Sequence, residues 1–243
     1  MKNICCVILL CCFCISTHAK VKIGAPKYIP PYSINVPKQG LSGFDIDYMK
    51  KVCQRLSWDC EFVPMKYLEL KEALQENKID FAIGSIVIIP NQQNNLIFSI
   101  PYLTSDAGFL VKKDSSINNV GDLRDKKVGV LHGKAYIDYL NGHFNQQVTI
   151  VPYDVFTSIA MDLHDGKIDA IFMNYLSALY LKQQFTDKVR VLNEHFPVGD
   201  GLGIVTLPAN KDKIEQINKV ILQFQTDGTF TNLYKYYFQF VIN

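Results

Sequence analysis

This chain of 243 residues lacks an excess of either charge, a long basic run and any low-complexity segment. Lysine and arginine number 25 against 23 acidic residues, and the two signs are mixed evenly along the chain. Nucleic-acid binding is therefore not indicated, because proteins with that function carry clustered basic residues. No stretch rich in proline and glycine divides the chain, so two folded units would have to be joined by strands rather than by a flexible tether.

Sequence motifs of several enzyme classes are also missing. Only three residues separate Gly129 from Gly133, and Ala135 takes the place of the required hydroxyl, so this segment is not a phosphate-binding loop. The glycines at 199–203 precede a strand pattern rather than a helix, which excludes a dinucleotide fingerprint. The histidines lack metal-ligand spacing, and no serine lies in a nucleophile elbow. We therefore predict no metal site and no cofactor.

The first 19 residues have the pattern of a secretory signal peptide. Lys2 gives a positive start, an uncharged apolar run extends from Ile4 to Ile15, and Thr17-His18-Ala19 offers small residues at a cleavage site. The apolar run is too short to cross a bilayer, so a cleaved signal is favoured over a retained membrane anchor. We expect an exported and soluble mature chain that begins at Lys20.

Cysteine is nearly absent beyond this segment. Five of the seven cysteines lie within the first 19 residues, which leaves Cys53 and Cys60. Two cysteines in an oxidising compartment usually pair. Cys53 ends a helical pattern and Cys60 begins a strand pattern, so a bridge would fasten a helix to the next strand. Two buried free thiols are the alternative.

A tripeptide repeat is the most informative positive feature. Lys-Ile-Asp occurs at 78–80 and at 167–169, each time between an amphipathic helical pattern and a short apolar run. Asn77 and Gly166 precede the two copies, where a helix takes a left-handed stop. Two such units predict two α/β lobes, and open parallel sheets bind ligands beyond the carboxyl ends of their strands. The residues just past the two apolar runs are Gly84, Ser85 and Asn174.

Other patterns predict further elements of the two lobes. Apolar residues at helical spacing predict a helix from Gly43 to Leu56 and another at Lys134 to Leu140. A strand beginning at Gly108 is expected to cross between the lobes. The aromatic stretch from Tyr234 to Phe238 is expected to pack against the first lobe.

Eight short segments occur in an order that is typical of one protein family. They are Gly43-Phe44-Asp45-Ile46-Asp47, Glu61-Phe62-Val63-Pro64, Lys78-Ile79-Asp80, Pro101-Tyr102, Asp122-Leu123, Lys127-Val128-Gly129-Val130, Lys167-Ile168-Asp169-Ala170 and Asp227-Gly228-Thr229. In this order the chain resembles the extracellular solute-binding proteins of polar amino acid ABC importers. The resemblance implies a two-lobe α/β fold of the periplasmic binding protein-like type II, with a ligand cleft between the lobes. It implies one lobe over 20–110 and 199–243 and another over 111–198.

The function that the resemblance implies is capture of an amino acid or a related small carboxylate in the periplasm. The expected partner is an ABC transporter permease, and a monomer without catalytic activity or nucleic acid is expected. A cyclohexadienyl dehydratase is one alternative, for which Glu194 is the candidate acid. A sensory ligand-binding protein is the other, and the sequence does not identify the ligand.

The resemblance also implies a set of pocket residues. They are Tyr28, Ile29, Tyr67, Gly84, Ser85, Val87, Gln92, Lys134, Ala135, Tyr136 and Asn174. Gln92 stands where the family has an arginine that grips the ligand α-carboxylate, and Asn174 stands where it has an aspartate for the ammonium group. Asparagine accepts a hydrogen bond but cannot neutralise a charge. Lys134 could replace the arginine from the other lobe, and the alternative is a solvated surface lysine. For Tyr67 the alternative is plain helix packing.

Overall fold

The computed structural model describes residues 20–90, 95–144 and 147–242, and the predicted signal peptide at 1–19 lies outside these ranges. The strands are β1 (Val21–Pro26), β2 (Tyr28–Ile29), β3 (Ser33–Val36), β4 (Gly40–Ser42), β5 (Cys60–Met65), β6 (Phe81–Ala82), β7 (Ile97–Phe98), β8 (Asp106–Lys112), β9 (Lys127–Leu131), β10 (Thr149–Tyr153), β11 (Ala170–Asn174), β12 (Val189–Pro197) and β13 (Val205–Thr206). The helices are α1 (Phe44–Leu56), α2 (Leu70–Gln75), α3 (Tyr136–Phe144), α4 (Phe156–His164), α5 (Tyr175–Gln184), α6 (Lys211–Thr226) and α7 (Thr229–Ile242). Short 3-10 turns occupy Tyr67–Glu69, Val120–Leu123 and Pro208–Asn210.

The strands form two five-stranded sheets, one in each lobe, and a small sheet of β2, β3 and β4. In the first sheet the order is β5-β1-β6-β13-β7, with β1 parallel to both of its neighbours. In the second sheet the order is β10-β9-β11-β8-β12, with β9 parallel to both of its neighbours. The prediction of two α/β lobes is therefore confirmed. None of the helices in the described ranges is long and apolar enough to cross a bilayer.

The Lys-Ile-Asp repeat has the same structural role in both lobes. Asn77 and Gly166 have φ angles of 54° and 73°, the left-handed conformation that was predicted for them. A carboxylate oxygen of Asp80 accepts a 2.8 Å hydrogen bond from the backbone N–H of Lys22, and Asp169 accepts an equivalent 2.8 Å bond from Lys127. Each aspartate thereby fastens the start of β6 or β11 to the start of the neighbouring parallel strand.

The predicted disulfide is present between the end of α1 and the start of β5. The Cα atoms of Cys53 and Cys60 lie 6.3 Å apart, within the range that a disulfide requires. Helix α1 buries its apolar face, including Phe44, Met49 and Val52, against the first lobe. The bridge therefore fastens a core helix to an edge strand of the first sheet.

Three expectations about the elements need correction. Strand β8 does not cross between the lobes, because it pairs with β12 from Asp106 to Lys112 within the second sheet. We therefore propose that the boundary of the first lobe lies near residue 105 rather than at 110. Helix α3 begins at Tyr136, so Lys134 precedes the helix instead of lying in its first turn. Helix α7 packs on α1 and α6 of the first lobe, as expected, but also on α5 of the second.

Candidate ligand cleft

The first lobe reaches the cleft with a tight turn that follows β6. Gly84 has a φ angle of 149°, and a Cβ atom on it would lie 2.2 Å from Cδ of Pro26. Ser85 follows in the left-handed region with a φ angle of 53°. The backbone N–H of Ser85 donates a 2.6 Å hydrogen bond to the buried carboxyl group of Asp45. This turn and the hydrogen bond that Ser85 donates to Asp45 fix the position of Ser85, whose carbonyl group accepts a hydrogen bond from the other lobe.

The second lobe reaches the cleft where β11 ends and α5 begins. Asn174 is the N-cap of α5, and its Oδ1 accepts a 3.2 Å hydrogen bond from the backbone N–H of Ser177. The same oxygen accepts a 2.9 Å hydrogen bond from the hydroxyl of Tyr32 in the first lobe. Tyr32 is fully buried and Asn174 is 4% exposed. A buried hydrogen bond therefore joins residues that are 142 positions apart and belong to different lobes.

Lys134 makes a second contact between the lobes. Its Nζ donates a hydrogen bond to the Ser85 carbonyl oxygen. The same atom lies 4.4 Å from the ring centroid of Tyr67 and 5.7 Å from that of Tyr136, within the range of cation–π attraction. Lys134 is only 7% exposed, so it is not a solvated surface lysine. Tyr67 lies in a 3-10 turn with its ring against this ammonium group, so plain helix packing does not describe its position.

Burial disfavours the charged forms of two groups beside the cleft. It lowers the pKa of Lys134 to about 7, and attraction to the Asp45 carboxylate opposes the change. Burial raises the pKa of Asp45 to about 7, against the hydrogen bond from the Ser85 backbone N–H and attraction to Lys134. Each residue therefore favours the charged form of the other, although Asp45 is not in direct contact with Lys134.

Two cavities lie between the lobes, and Lys134 lines both. The inner cavity measures about 20 Å³, which is room for roughly one water molecule. The outer groove measures about 400 Å³ and contains Tyr67, Val87 and Ala135. An amino acid does not fit the inner cavity in this closed arrangement, so its binding there requires the lobes to separate or Lys134 to move.

The inner cavity also contains hydroxyl groups without a hydrogen-bond partner among the described residues. These groups are Ser85 Oγ, Tyr136 OH and Ser177 Oγ, and each residue is at most 1% exposed. Leaving such a group buried and unpaired costs about 1 to 3 kcal/mol. Groups of this kind at one place indicate a site that is completed by something polar.

The other predicted site residues have different positions. Ile29 lines the inner cavity, whereas Tyr28 lies at the rim, 40% exposed and with its ring centroid 6.1 Å from that of Phe156. Gln92 lies outside the described residues, so its place relative to the cleft stays a prediction. Glu194, the candidate acid of the enzymatic alternative, is exposed and accepts a long hydrogen bond from the backbone of Val120.

Sequence reasoning missed Tyr32 and Ser177. Tyr32 follows Pro30-Pro31, and a segment interrupted by prolines has no periodic pattern that could mark a site residue. Ser177 lies three residues after Asn174, the spacing of an N-cap and the residue that it bonds, and this spacing was the available signal. Among the described residues, no group of three or more His, Cys, Asp or Glu side chains is arranged to hold a metal ion.

Two lobes of this topology around a polar cleft define the type II periplasmic binding fold. Residues 21–240 match the family model described as "Bacterial extracellular solute-binding proteins, family 3". The chain belongs to this family.

The relatives in this family include proteins named for the amino acids that they bind. The histidine-binding periplasmic protein of Salmonella typhimurium is 33% identical, over 91% of this chain and 88% of its own. An arginine 3rd transport system periplasmic binding protein from Legionella pneumophila is 29% identical with a TM-score of 0.86, over 91% of this chain and 100% of its own. An ancestral amino acid-binding protein, described as a precursor of cyclohexadienyl dehydratase, is 27% identical with a TM-score of 0.79, over 90% and 95% of the two chains.

Proposed function

We propose that this chain is an exported solute-binding protein that captures an amino acid or a related small carboxylate between its lobes. The observation that carries this proposal is the convergence of polar groups from both lobes on one buried space. Tyr32 and Ser85 come from the first lobe, and Lys134, Tyr136 and Asn174 come from the second. Family membership and relatives named for histidine and arginine support the same conclusion.

The charge of the site favours a solute with a carboxylate group. Lys134 is a buried amine that no carboxylate contacts in the described residues, because Asp45 acts on it only at longer range. A carboxylate that enters the cleft would compensate this charge. We propose that Lys134 leaves the Ser85 carbonyl when the solute enters and pairs with the solute carboxylate. Asn174 already accepts two hydrogen bonds and carries no charge, so an α-ammonium group gains less here than beside an aspartate.

Calorimetry on the wild type and Lys134→Ala tests this role. A thermal-shift screen of amino acids, small carboxylates and peptides first identifies the best solute. If Lys134 pairs with its carboxylate, Lys134→Ala should weaken binding by about 2 kcal/mol or more, roughly 30-fold. Lys71→Ala is the matched control, because Lys71 is an exposed lysine in the wall of the outer groove. An unchanged affinity for Lys134→Ala would contradict the proposed pairing.

We also propose that the protein is not an enzyme. A dehydratase needs a carboxylic acid in the cleft, and Glu194 is exposed outside it. Asp45 is buried behind Ser85 and lines neither cavity. Purified protein should therefore not turn over prephenate or arogenate, and measurable turnover would overturn this part of the proposal.

The proposed location is the periplasm, with an ABC transporter permease as partner and the monomer as the working form. Relatives named as periplasmic binding proteins support the location. N-terminal sequencing of the exported protein should begin at Lys20, and an uncleaved N-terminus would contradict signal removal. Neighbouring genes for a permease and an ATPase would support transport, whereas their absence would favour a sensory role.

A further inference from the structure

We propose that the chain's own Lys134 fills the ammonium subsite of the cleft as an internal ligand when no solute is bound. The subsite consists of the Ser85 carbonyl oxygen and the rings of Tyr67 and Tyr136. Lys134 belongs to the second lobe, while Ser85 and Tyr67 belong to the first. Its side chain is therefore an internal ligand that bridges the closed lobes. This inference rests on the proposed use of the cleft for solute binding and specifies what occupies it in the empty protein.

The contacts of Lys134 are those by which proteins bind ammonium ions. A carbonyl oxygen accepts its hydrogen bond, and the face of a tyrosine ring lies 4.4 Å from the nitrogen. Attraction between a cation and an aromatic face is stronger when the site excludes water. Lys134 is 7% exposed, so water is largely excluded from this contact.

The acceptor belongs to a part of the first lobe that does not depend on Lys134. Ser85 is fixed by its own N–H bond to Asp45 and by the close approach of Gly84 to Pro26. Removal of the lysine side chain should therefore leave the carbonyl oxygen in place. Tyr67 is likewise held by the first lobe, next to Leu68, Leu70 and Leu74 in the wall of the outer groove.

The shape of the subsite follows from the side chain that fills it. Beyond Cβ, lysine consists of three methylene groups and an ammonium group, so Lys134→Ala removes the equivalent of n-propylammonium. Lys134 lines both the inner cavity of about 20 Å³ and the outer groove of about 400 Å³, so the space vacated adjoins both. A free n-propylammonium ion should be able to enter through the groove and make the same contacts.

The test is calorimetric titration of n-propylammonium chloride into the wild type, Lys134→Ala and Lys134→Met. Lys134→Ala should bind at least tenfold more tightly than the wild type, whose subsite is filled. Lys134→Met is the matched control, because its side chain fills the space without an ammonium group, and it should bind as weakly as the wild type. Propionate and n-propanol have similar size without the positive charge and should not bind Lys134→Ala measurably.

Two results of this titration would overturn the inference. One is the absence of n-propylammonium binding by a folded Lys134→Ala protein. The other is equal binding of n-propylammonium and n-propanol, which would show an apolar cavity without selectivity for a cation. Neither result depends on whether the wild type binds amino acids or carboxylates. Failure of the proposed function would appear separately, as a wild type that binds none of the screened solutes.

Amine labelling of the wild type provides a second measurement that needs no variant. A soluble amine-reactive reagent should modify the exposed Lys71 quickly and Lys134 at least tenfold more slowly, because the nitrogen of Lys134 is enclosed. Mass spectrometry of peptides distinguishes the two sites. Equal rates at the two lysines would overturn the inference, and this result decides it if Lys134→Ala does not fold.

Discussion

The two lobes share a scaffold and differ in how they meet the cleft. Asp80 and Asp169 make the same hydrogen bond to a neighbouring strand, each at 2.8 Å. Beyond the next strand, however, the first lobe turns through Gly84 and Ser85 and offers a backbone carbonyl. The second lobe passes directly into a helix and offers the side chain of Asn174. The repeat thus determines where each strand ends, while the residues after the strand determine the chemistry of the site.

The largest expected effect is on stability, and it distinguishes a glycine in the first-lobe turn from a glycine at a helix stop in the second lobe. In Gly84→Ala the new Cβ would lie 2.2 Å from Cδ of Pro26 at a φ angle of 149°, so strain and overpacking add. We expect the free energy of unfolding to fall by about 3 kcal/mol or more. At Gly166 no atom lies within 4 Å of an added Cβ, so Gly166→Ala should cost only about 1 to 2 kcal/mol for its left-handed φ angle of 73°. Urea denaturation measures both, and equal losses would contradict the special role of the Gly84 turn.

The disulfide is a second difference, because the first lobe contains both cysteines of the described residues. The bridge closes a short loop with a sequence separation of 7. On the chain-entropy model such a loop stabilises the folded state by about 2.5 kcal/mol. The double variant Cys53→Ala, Cys60→Ala should lose about that much in chemical denaturation. A thiol assay on unreduced mature protein should find no free thiol, and two free thiols would refute the bridge in solution.

Substitution of either repeated aspartate should lower the free energy of unfolding by a similar amount. Asp80→Ala and Asp169→Ala each remove a carboxylate that accepts a backbone N–H bond, worth about 1.5 to 3 kcal/mol for an acceptor that carries charge. Because both hydrogen bonds are exposed to solvent, we expect the loss in the free energy of unfolding to lie near the lower end of this range. Denaturation of both single variants measures this comparison, and a loss in one lobe alone would show that the repeat is not equivalent.

The smallest effect concerns the bond between Tyr32 and Asn174. Tyr32→Phe removes the hydroxyl that crosses the cleft and should reduce the ratio of closed to open molecules about fivefold, or about 1 kcal/mol. Small-angle scattering of the solute-free protein measures this ratio. Tyr136→Phe is the control, since the Tyr136 hydroxyl has no partner among the described residues. Equal shifts in the two variants would mean that the Tyr32 hydroxyl has no specific role.

Local sequence patterns predicted most helices and strands, but they did not predict which elements contact each other over long sequence separations. The left-handed stops at Asn77 and Gly166 follow from helix-ending chemistry, and both were predicted. The start of α3 was placed two residues too early, because apolar spacing does not fix where a helix begins. Strand β8 was misplaced because an apolar run shows that a strand is buried without showing in which sheet.

The cleft could be predicted only in part, for the same reason. Family alignment selected Ser85, Lys134 and Asn174, which lie together around the inner cavity. It did not predict that Lys134 reaches the Ser85 carbonyl, a contact over a sequence separation of 49. Tyr32 was missed because its partner Asn174 is 142 positions away, so no local pattern marks the pair.

The bond between Tyr32 and Asn174 also affects the concentration range over which the protein responds. The closed arrangement leaves the inner cavity too small for an amino acid, so the apparent dissociation constant is that of the open form divided by the open fraction. A single bond of about 1 kcal/mol that favours closure moves the midpoint of the dose–response curve about fivefold toward higher solute concentration. Substitutions at Tyr32 would therefore retune the sensitivity of the protein through the fraction of molecules that are open.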